Sequence, residues 1–297
     1  MKAKQYILTL DFLKFMPIYF GISLTVLSIS IISLILFQLK PGIDFTGGSL
    51  LELSIESSEG ELLPETLQSD VEDFANISSV QPSEGNFIFR GQNLTSETNQ
   101  QIQQVLSDKY GQVEELKFET VGPTLGKELL QKTLVAVVLG SIVIMTYVAY
   151  QFKELKYGVC AILAMFHDTL IVIGAFSLLG HFYNVEVDTL FVTAILTTLS
   201  FSIHDTIVVY DRIRESLHRS GISEFRPIVN KAIVETLSRS INNSMTIIFM
   251  LTALFLLGGD SIRWFVFALL VGTITGTYSS TFTAAPLLVL WEKFFKR

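Results

Sequence analysis

Cysteine is nearly absent. Cys160 stands alone among 297 residues, so an intramolecular disulfide is excluded and no Cys/His spacing suits a metal site. It reads as a small apolar packing residue at the start of a helix. Charge is scarce as well. Only 16% of residues are Asp, Glu, Lys or Arg, against about 25% in an ordinary soluble domain, and mean hydropathy is +0.49. The four histidines all lie in or beside apolar runs. The serines elsewhere therefore lack an imidazole partner, and no nucleophile–base arrangement stands out. Nothing calls for a cofactor or a metal, and an enzyme is not expected. The net charge of −7 argues against nucleic-acid binding.

What is present is long apolar sequence. Six runs approach the ~20 residues a bilayer requires: Pro17–Phe37, Thr133–Phe152, Gly158–Leu179, Thr189–Tyr210, Ile241–Leu257 and Trp264–Leu290. The fifth is short, and the last is long enough to tilt or extend past the bilayer. The first stays apolar too long for a signal peptide and lacks a clean small-residue cleavage site, so it reads as an uncleaved helix. Lys2, Lys4, Lys14, Lys153, Lys156, Arg212, Arg214, Arg219, Arg226, Lys231, Arg239, Lys293, Lys296 and Arg297 all fall on one side of this plan. By the positive-inside rule that side is the cytoplasm. The chain is expected to be a multi-pass protein of the cytoplasmic membrane, with both termini cytoplasmic and the 40–130 segment external.

Three parts follow: residues 1–39 (cytoplasmic N-terminus and first helix), 40–130 (external domain) and 131–297 (helices two to six, with a basic cytoplasmic connector at 211–240). In the external part the spacing predicts strand Ser49–Glu56, helix Pro64–Phe74, strands Ile77–Gln81 and Phe87–Gly91, helix Ser96–Tyr110 and strand Glu114–Thr120. Leu51, Leu53 and Ile55 alternate as a half-buried strand should. Ser96 is the expected cap of its helix. The order β-α-β-β-α-β predicts a small α+β ferredoxin-like domain. The fold class is thus a six-helix membrane protein carrying that domain.

The most costly residue is Asp205, inside the fourth run. A carboxylate at a helix centre costs roughly 2.5–3.5 kcal/mol on insertion scales, and such residues often mark an ion or proton path. Arg239 opens the next apolar run with Asn242 and Asn243 behind it, so acid and guanidinium are placed to pair. Desolvation penalises the charged carboxylate and a nearby Arg favours it; a balance of the two lets Asp205 load and release a proton. A static ion pair that fixes helix packing is the rival reading. Thr198 and Ser202 share the face of Asp205 and are placed to hold water. His204 lies about 100° round the helix, on a different face. Asp168, beside His167 in the third run, is a further candidate for the polar interior. Gly272 and Gly276 form a small-x-x-x-small pair suited to close helix contact. Apolar residues among the charges of 211–240, Ile213, Leu217, Ile222, Ile228, Val229 and Ile233 included, suit amphipathic helices lying on the membrane surface. Docking of another subunit is the alternative there.

Gly42-Ile43-Asp44-Phe45-Thr46-Gly47-Gly48-Ser49 has the glycine spacing of a phosphate loop, but Gly48 stands where the lysine belongs. Tight turning where the chain leaves the bilayer is the better account of Gly42, Gly47 and Gly48, with Asp44 in a capping or turn role.

That same run resembles the signature of the SecF family of bacterial protein-export subunits. Ser202-Ile203-His204-Asp205-Thr206-Ile207-Val208-Val209-Tyr210-Asp211-Arg212 resembles its fourth-helix motif, except that Asn is commoner than His204. Arg239-Ser240-Ile241-Asn242-Asn243-Ser244 resembles the start of its fifth helix. The resemblance spans nearly the whole chain. It implies an RND-superfamily half that pairs with SecD and assists the SecYEG channel after the SecA motor. It also implies that preproteins are moved with the proton motive force, and that Asp205 and Arg239 belong to the proton pathway. Membrane lipids are the remaining expected partner. The alternatives are an RND-type exporter half for small molecules or lipids, and a structural assembly factor without proton coupling.

Overall fold

The computed structural model describes residues 11–57, 62–83, 85–92, 94–220 and 224–295. It contains six helices long and apolar enough to cross a membrane. The chain divides into two units: the first apolar helix together with everything from Val135 onward, and Pro41–Leu134.

The first helix, α1 (Met16–Phe37), follows a 3-10 turn at Phe12–Phe15, whose Lys14 amide is accepted by the Asp11 side chain. Its buried residues are Ser23, Ser30 and Ser33, while its leucines and isoleucines face outward. In hydrocarbon this inversion is expected, because lipid solvates apolar side chains and small residues let backbones approach. Against α6 (Leu155–Tyr183), Ser33 donates to Ser177 at 2.9 Å, and Gly174 leaves the room that Ser30 occupies. By contrast α5 (Pro123–Phe152) buries almost none of its apolar span, apart from Val148 and Phe152 at its end.

The centre of the bundle is α6, α7 (Thr189–Ser220), α8 (Phe225–Leu257) and the last run. Here the structure corrects the sequence reading of 211–240. Helix α7 extends from its apolar run to Ser220 and α8 already begins at Phe225, as helices of 32 and 33 residues. Ile213, Val229 and Ile233 pack with Tyr210 in the bundle core instead of on a bilayer surface. Arg212 holds Glu235 and Glu215, each at 2.5 Å. Ile222 lies outside the described residues.

The long last run is divided, not merely tilted. Helix α9 (Asp260–Ser279) passes through a π-helical turn, Ser280–Ala284, into α10 (Ala285–Phe295). Pro286 explains the break: it has no N–H to donate, and its ring would collide with the carbonyl four residues back in a regular helix. In the same turn the Ala284 carbonyl accepts from the buried Tyr210 hydroxyl at 3.1 Å.

In the Pro41–Leu134 unit a short helix, α2 (Ile43–Thr46), leads into β1 (Gly48–Ser57). Then follow α3 (Pro64–Val71), β2 (Ile77–Ser83), β3 (Asn86–Gly91), α4 (Ser96–Tyr110) and β4 (Gly111–Val121). The sheet order is β2-β3-β1-β4 with every neighbouring pair antiparallel. That is the split β-α-β arrangement of a ferredoxin-like domain. Leu51, Leu53, Phe89, Leu67, Ile102 and Leu106 are fully buried in its core. Helix α4 is capped by Thr95, whose side chain accepts from the Thr98 amide at 3.2 Å, so the cap lies one residue before the predicted Ser96. Helix α3 ends at Val71, three residues before the predicted Phe74.

Candidate functional site

Asp205 is buried on α7. Helix α8 runs antiparallel beside it, with Arg212 opposite Glu235 and Asp205 opposite Ser244. Ser244 donates to Asp205 Oδ2 at 3.4 Å, and Thr277 of α9 donates to the Ser244 hydroxyl at 2.6 Å. A small cleft beside the carboxylate is lined by Phe201, His204, Asn243, Ser244 and Thr277. Its volume of about 10 Å³ holds about one water molecule. A carboxylate accepting a hydroxyl hydrogen bond and touching one water site can exchange a proton with that water.

The predicted Asp205–Arg239 pair is not made: no Arg239 nitrogen is within ion-pair distance of the carboxylate among the described residues. Register is the reason. Ser244 is the residue opposite Asp205, and Arg239 comes five residues earlier, about 7.5 Å along the helix axis. Arg239 is instead exposed, lining a wide cleft of about 780 Å³ with Asp211, Arg212, His218 and Glu235.

Asp168, treated from sequence as a supporting residue, is the most enclosed carboxylate of the bundle at 0% exposure. Its Oδ2 accepts from Ser202 of α7 and Ser279 of α9, each at 2.6 Å, and His167 Nδ1 lies 2.9 Å from Oδ1. Ser202 therefore serves Asp168, not Asp205. Thr198 is buried with its hydroxyl unpartnered, pressed against α9 where Gly272 leaves space. Gly276 similarly faces Ser202, so the predicted glycine pair is the notch through which α7 meets α9.

Asn242 and Asn243 are exposed on α8, and only Asn243 lines the Asp205 cleft. His204 is exposed at the rim of the same cleft. The residues that sequence reasoning missed as ligands are Ser244, Thr277 and Ser279. A signal existed: Thr236, Ser240 and Ser244 recur every four residues on the buried face of α8, and Ser279 belongs to the hydroxyl-rich run after Gly272. Neither signal names a partner without the register.

The glycine motif at 42–48 is structural in its geometry. Gly42 is extended, and its carbonyl accepts from the Phe45 and Thr46 amides. Gly47 and Gly48 have φ of 72° and 125°, a region that disfavours side chains. A Cβ on Gly47 would also lie 2.6 Å from Pro123 Cα. Asp44 stands in the first turn of α2, where a carboxylate suits the helix dipole. Among the described residues no group of three or more His, Cys, Asp and Glu side chains is placed to hold a metal.

Comparison with known proteins agrees with these features. Residues 101–294 match the family described as protein export membrane protein SecD/SecF, C-terminal, and residues 32–59 match the SecD/SecF GG motif. A protein translocase subunit SecF of Thermobaculum terrenum is 40% identical over 95% of this chain and 94% of its own length. A protein translocase subunit SecDF of Bacillus subtilis is 35% identical over 95% of this chain, which spans 38% of that longer protein. The crystal structure of SecDF from Thermus thermophilus, described as a translocon-associated membrane protein, superposes with a TM-score of 0.84. It is 32% identical and covers 96% of this chain, with 39% of that chain matched.

Proposed function

The chain belongs to the SecD/SecF family of protein export membrane proteins, and from that premise we propose that it drives its accessory role in the Sec translocase with protons taken up at Asp205. The observation that carries the proposal is the hydroxyl relay Asp205–Ser244–Thr277, which ties a buried carboxylate on α7 to α8 and α9 beside a one-water cleft. Binding a proton removes the charge that holds the Ser244 hydroxyl as a donor. It also removes the field felt by Arg239 about one and a half helical turns away. Both changes favour a shift of α8 and α9 against α7. Carried to the external domain, that shift becomes a grip-and-release motion on an emerging preprotein.

The longer SecDF relatives support a SecD-type partner, because each carries this chain's counterpart within a larger protein. SecYEG, SecA and preproteins enter as the partners that the Sec assignment implies, with membrane lipids around the apolar outer faces. Cytoplasmic termini and an external 40–130 domain are the orientation that the basic residues flanking the helices support under the positive-inside rule. A small-molecule or lipid exporter half is disfavoured by relatives named as translocase subunits. A purely structural factor held by a static Asp205–Arg239 pair lacks that contact.

Proteoliposomes holding the chain with its SecD-type partner test the proposal. Wild type conducts protons down an imposed gradient, and Asp205→Asn at matched recovery does not. Undiminished flux through Asp205→Asn overturns it.

A further inference from the structure

We propose that His167 and Asp168 form a second, internal proton-binding site, which rests on the proton-coupled reading above for its place in the cycle. Asp168 is wholly enclosed at the junction of α6, α7 and α9. The titratable groups that face this junction are His167 on α6 itself, Asp205 one turn beyond Ser202 on α7, Tyr278 on α9, and Tyr19 on α1, whose carbonyl accepts from Tyr278. Among the described residues no Lys or Arg lies within ion-pair distance of Asp168. A carboxylate charge buried without a cation is costly, so His167 is the group that has to balance it.

The geometry provides a place for the proton. Both serine hydroxyls donate to Asp168 Oδ2, and Nδ1 of His167 is at hydrogen-bond distance from Oδ1. With its hydrogen on Nδ1, the imidazole presents Nε2 as a bare lone pair, and Nε2 is buried without a partner. A proton arriving at Nε2 is passed on as the Nδ1 hydrogen moves to Asp168 Oδ1, so that the carboxyl ends neutral and the imidazole returns neutral; no bond other than N–H or O–H is made or broken.

The consequence is mechanical. The two carboxylates grasp α9 from two sides, Asp205 through Ser244 and Thr277, Asp168 through Ser279. Ser279 is the last residue before the π-helical turn, where the backbone ladder is already interrupted. Protonation of the His167–Asp168 pair weakens the hold of Ser279 at that point. Occupied together, the two sites loosen α9 along both faces.

Infrared difference spectra of the reconstituted complex, recorded over a series of pH steps, provide the test. Wild type is expected to show two titrating carboxyl bands. Asp205→Asn removes one, Asp168→Asn removes the other, and Ser279→Ala shifts the midpoint of the Asp168 band without abolishing it. Retention of both bands in Asp168→Asn overturns the proposal. Should Asp168→Asn fail to accumulate, Ser279→Ala and Ser202→Ala decide, and spectra unchanged from wild type in both overturn it. If only the Asp205 band is missing from wild type, the proton-coupling role of Asp205 fails while the inner site stands.

Discussion

Replacing Gly174 with alanine should pry α1 away from α6. A Cβ at Gly174 would lie 2.3 Å from Ser30 Cβ and 2.5 Å from Ser30 Cα, whereas carbon pairs settle at about 3.5–4.0 Å. The obstacle includes backbone, so no rotamer change relieves it, and α1 has to retreat by about 1 Å or more. Overpacking of this kind costs about 1–3 kcal/mol. The retreat also stretches the Ser33–Ser177 and Ser23–Thr283 contacts, now 2.9 and 3.3 Å, each worth roughly 0.6 kcal/mol in a membrane. Alanine returns about 1 kcal/mol of helix propensity. A net loss of about 1–3 kcal/mol follows. The single buried Cys160 makes the assay simple: a thiol-reactive dye reports unfolding of the purified chain during heating. Gly21→Ala is the control, because nothing lies within 4 Å of its added Cβ. Adding Ser30→Gly to Gly174→Ala should restore part of the loss, since it removes the Cβ contact but leaves the Cα one. A Gly174→Ala chain that melts with or above Gly21→Ala refutes the packing argument.

Three further outcomes follow from the same geometry. In the α+β domain burial pushes the Asp70 carboxyl up, but hydrogen bonds from Lys109 and Tyr110 and the Lys109 charge outweigh it and hold it below the usual range. A depressed folded value stabilises above the unfolded value of about 3.9 and is lost as pH falls through the folded one. Hydrogen exchange over Pro41–Leu134 should therefore be faster in Asp70→Asn than in wild type at neutral pH, and the two should converge in strong acid. Gly47→Ala should destabilise the same unit by about 2 kcal/mol or more through a left-handed backbone and a backbone collision, whereas Gly122→Ala, with open space, should exchange like wild type. Ser244→Ala removes the hydroxyl between Asp205 and Thr277 and should move the pH profile of proton flux; an unmoved profile contradicts the relay.

Much of the architecture was legible because it follows from local rules. The six apolar runs are set by bilayer thickness, and the alternation of Leu51, Leu53 and Ile55 with the turn glycines sets the strands of the α+β domain. What was not legible depends on register between helices distant in sequence. Asp205 and Arg239 head towards each other in the linear text, yet Ser244 is the residue placed opposite the acid. The apolar residues of 211–240 have the same pattern whether they meet lipid or one another, and only the packing of Ile213 with Val229 and Ile233 distinguishes the two. Ser279 looked like one more hydroxyl in a small-residue run until α9 was seen to place it on Asp168. The effect of Pro286 was readable in principle, since a missing N–H and a ring collision disfavour a regular helix there; the form of the relief, a π-helical turn, was not.

Release of a secreted precursor on the far side of the membrane, with and without a proton gradient, tests the central claim most directly. Wild type and Asp205→Asn are compared at equal membrane levels and equal recovery of the SecD-type partner. The account predicts that the gradient-dependent part of release disappears in Asp205→Asn while the gradient-independent part remains. Full gradient-dependent release by Asp205→Asn would contradict it, and would leave Asp205 as a packing residue in a bundle driven from elsewhere.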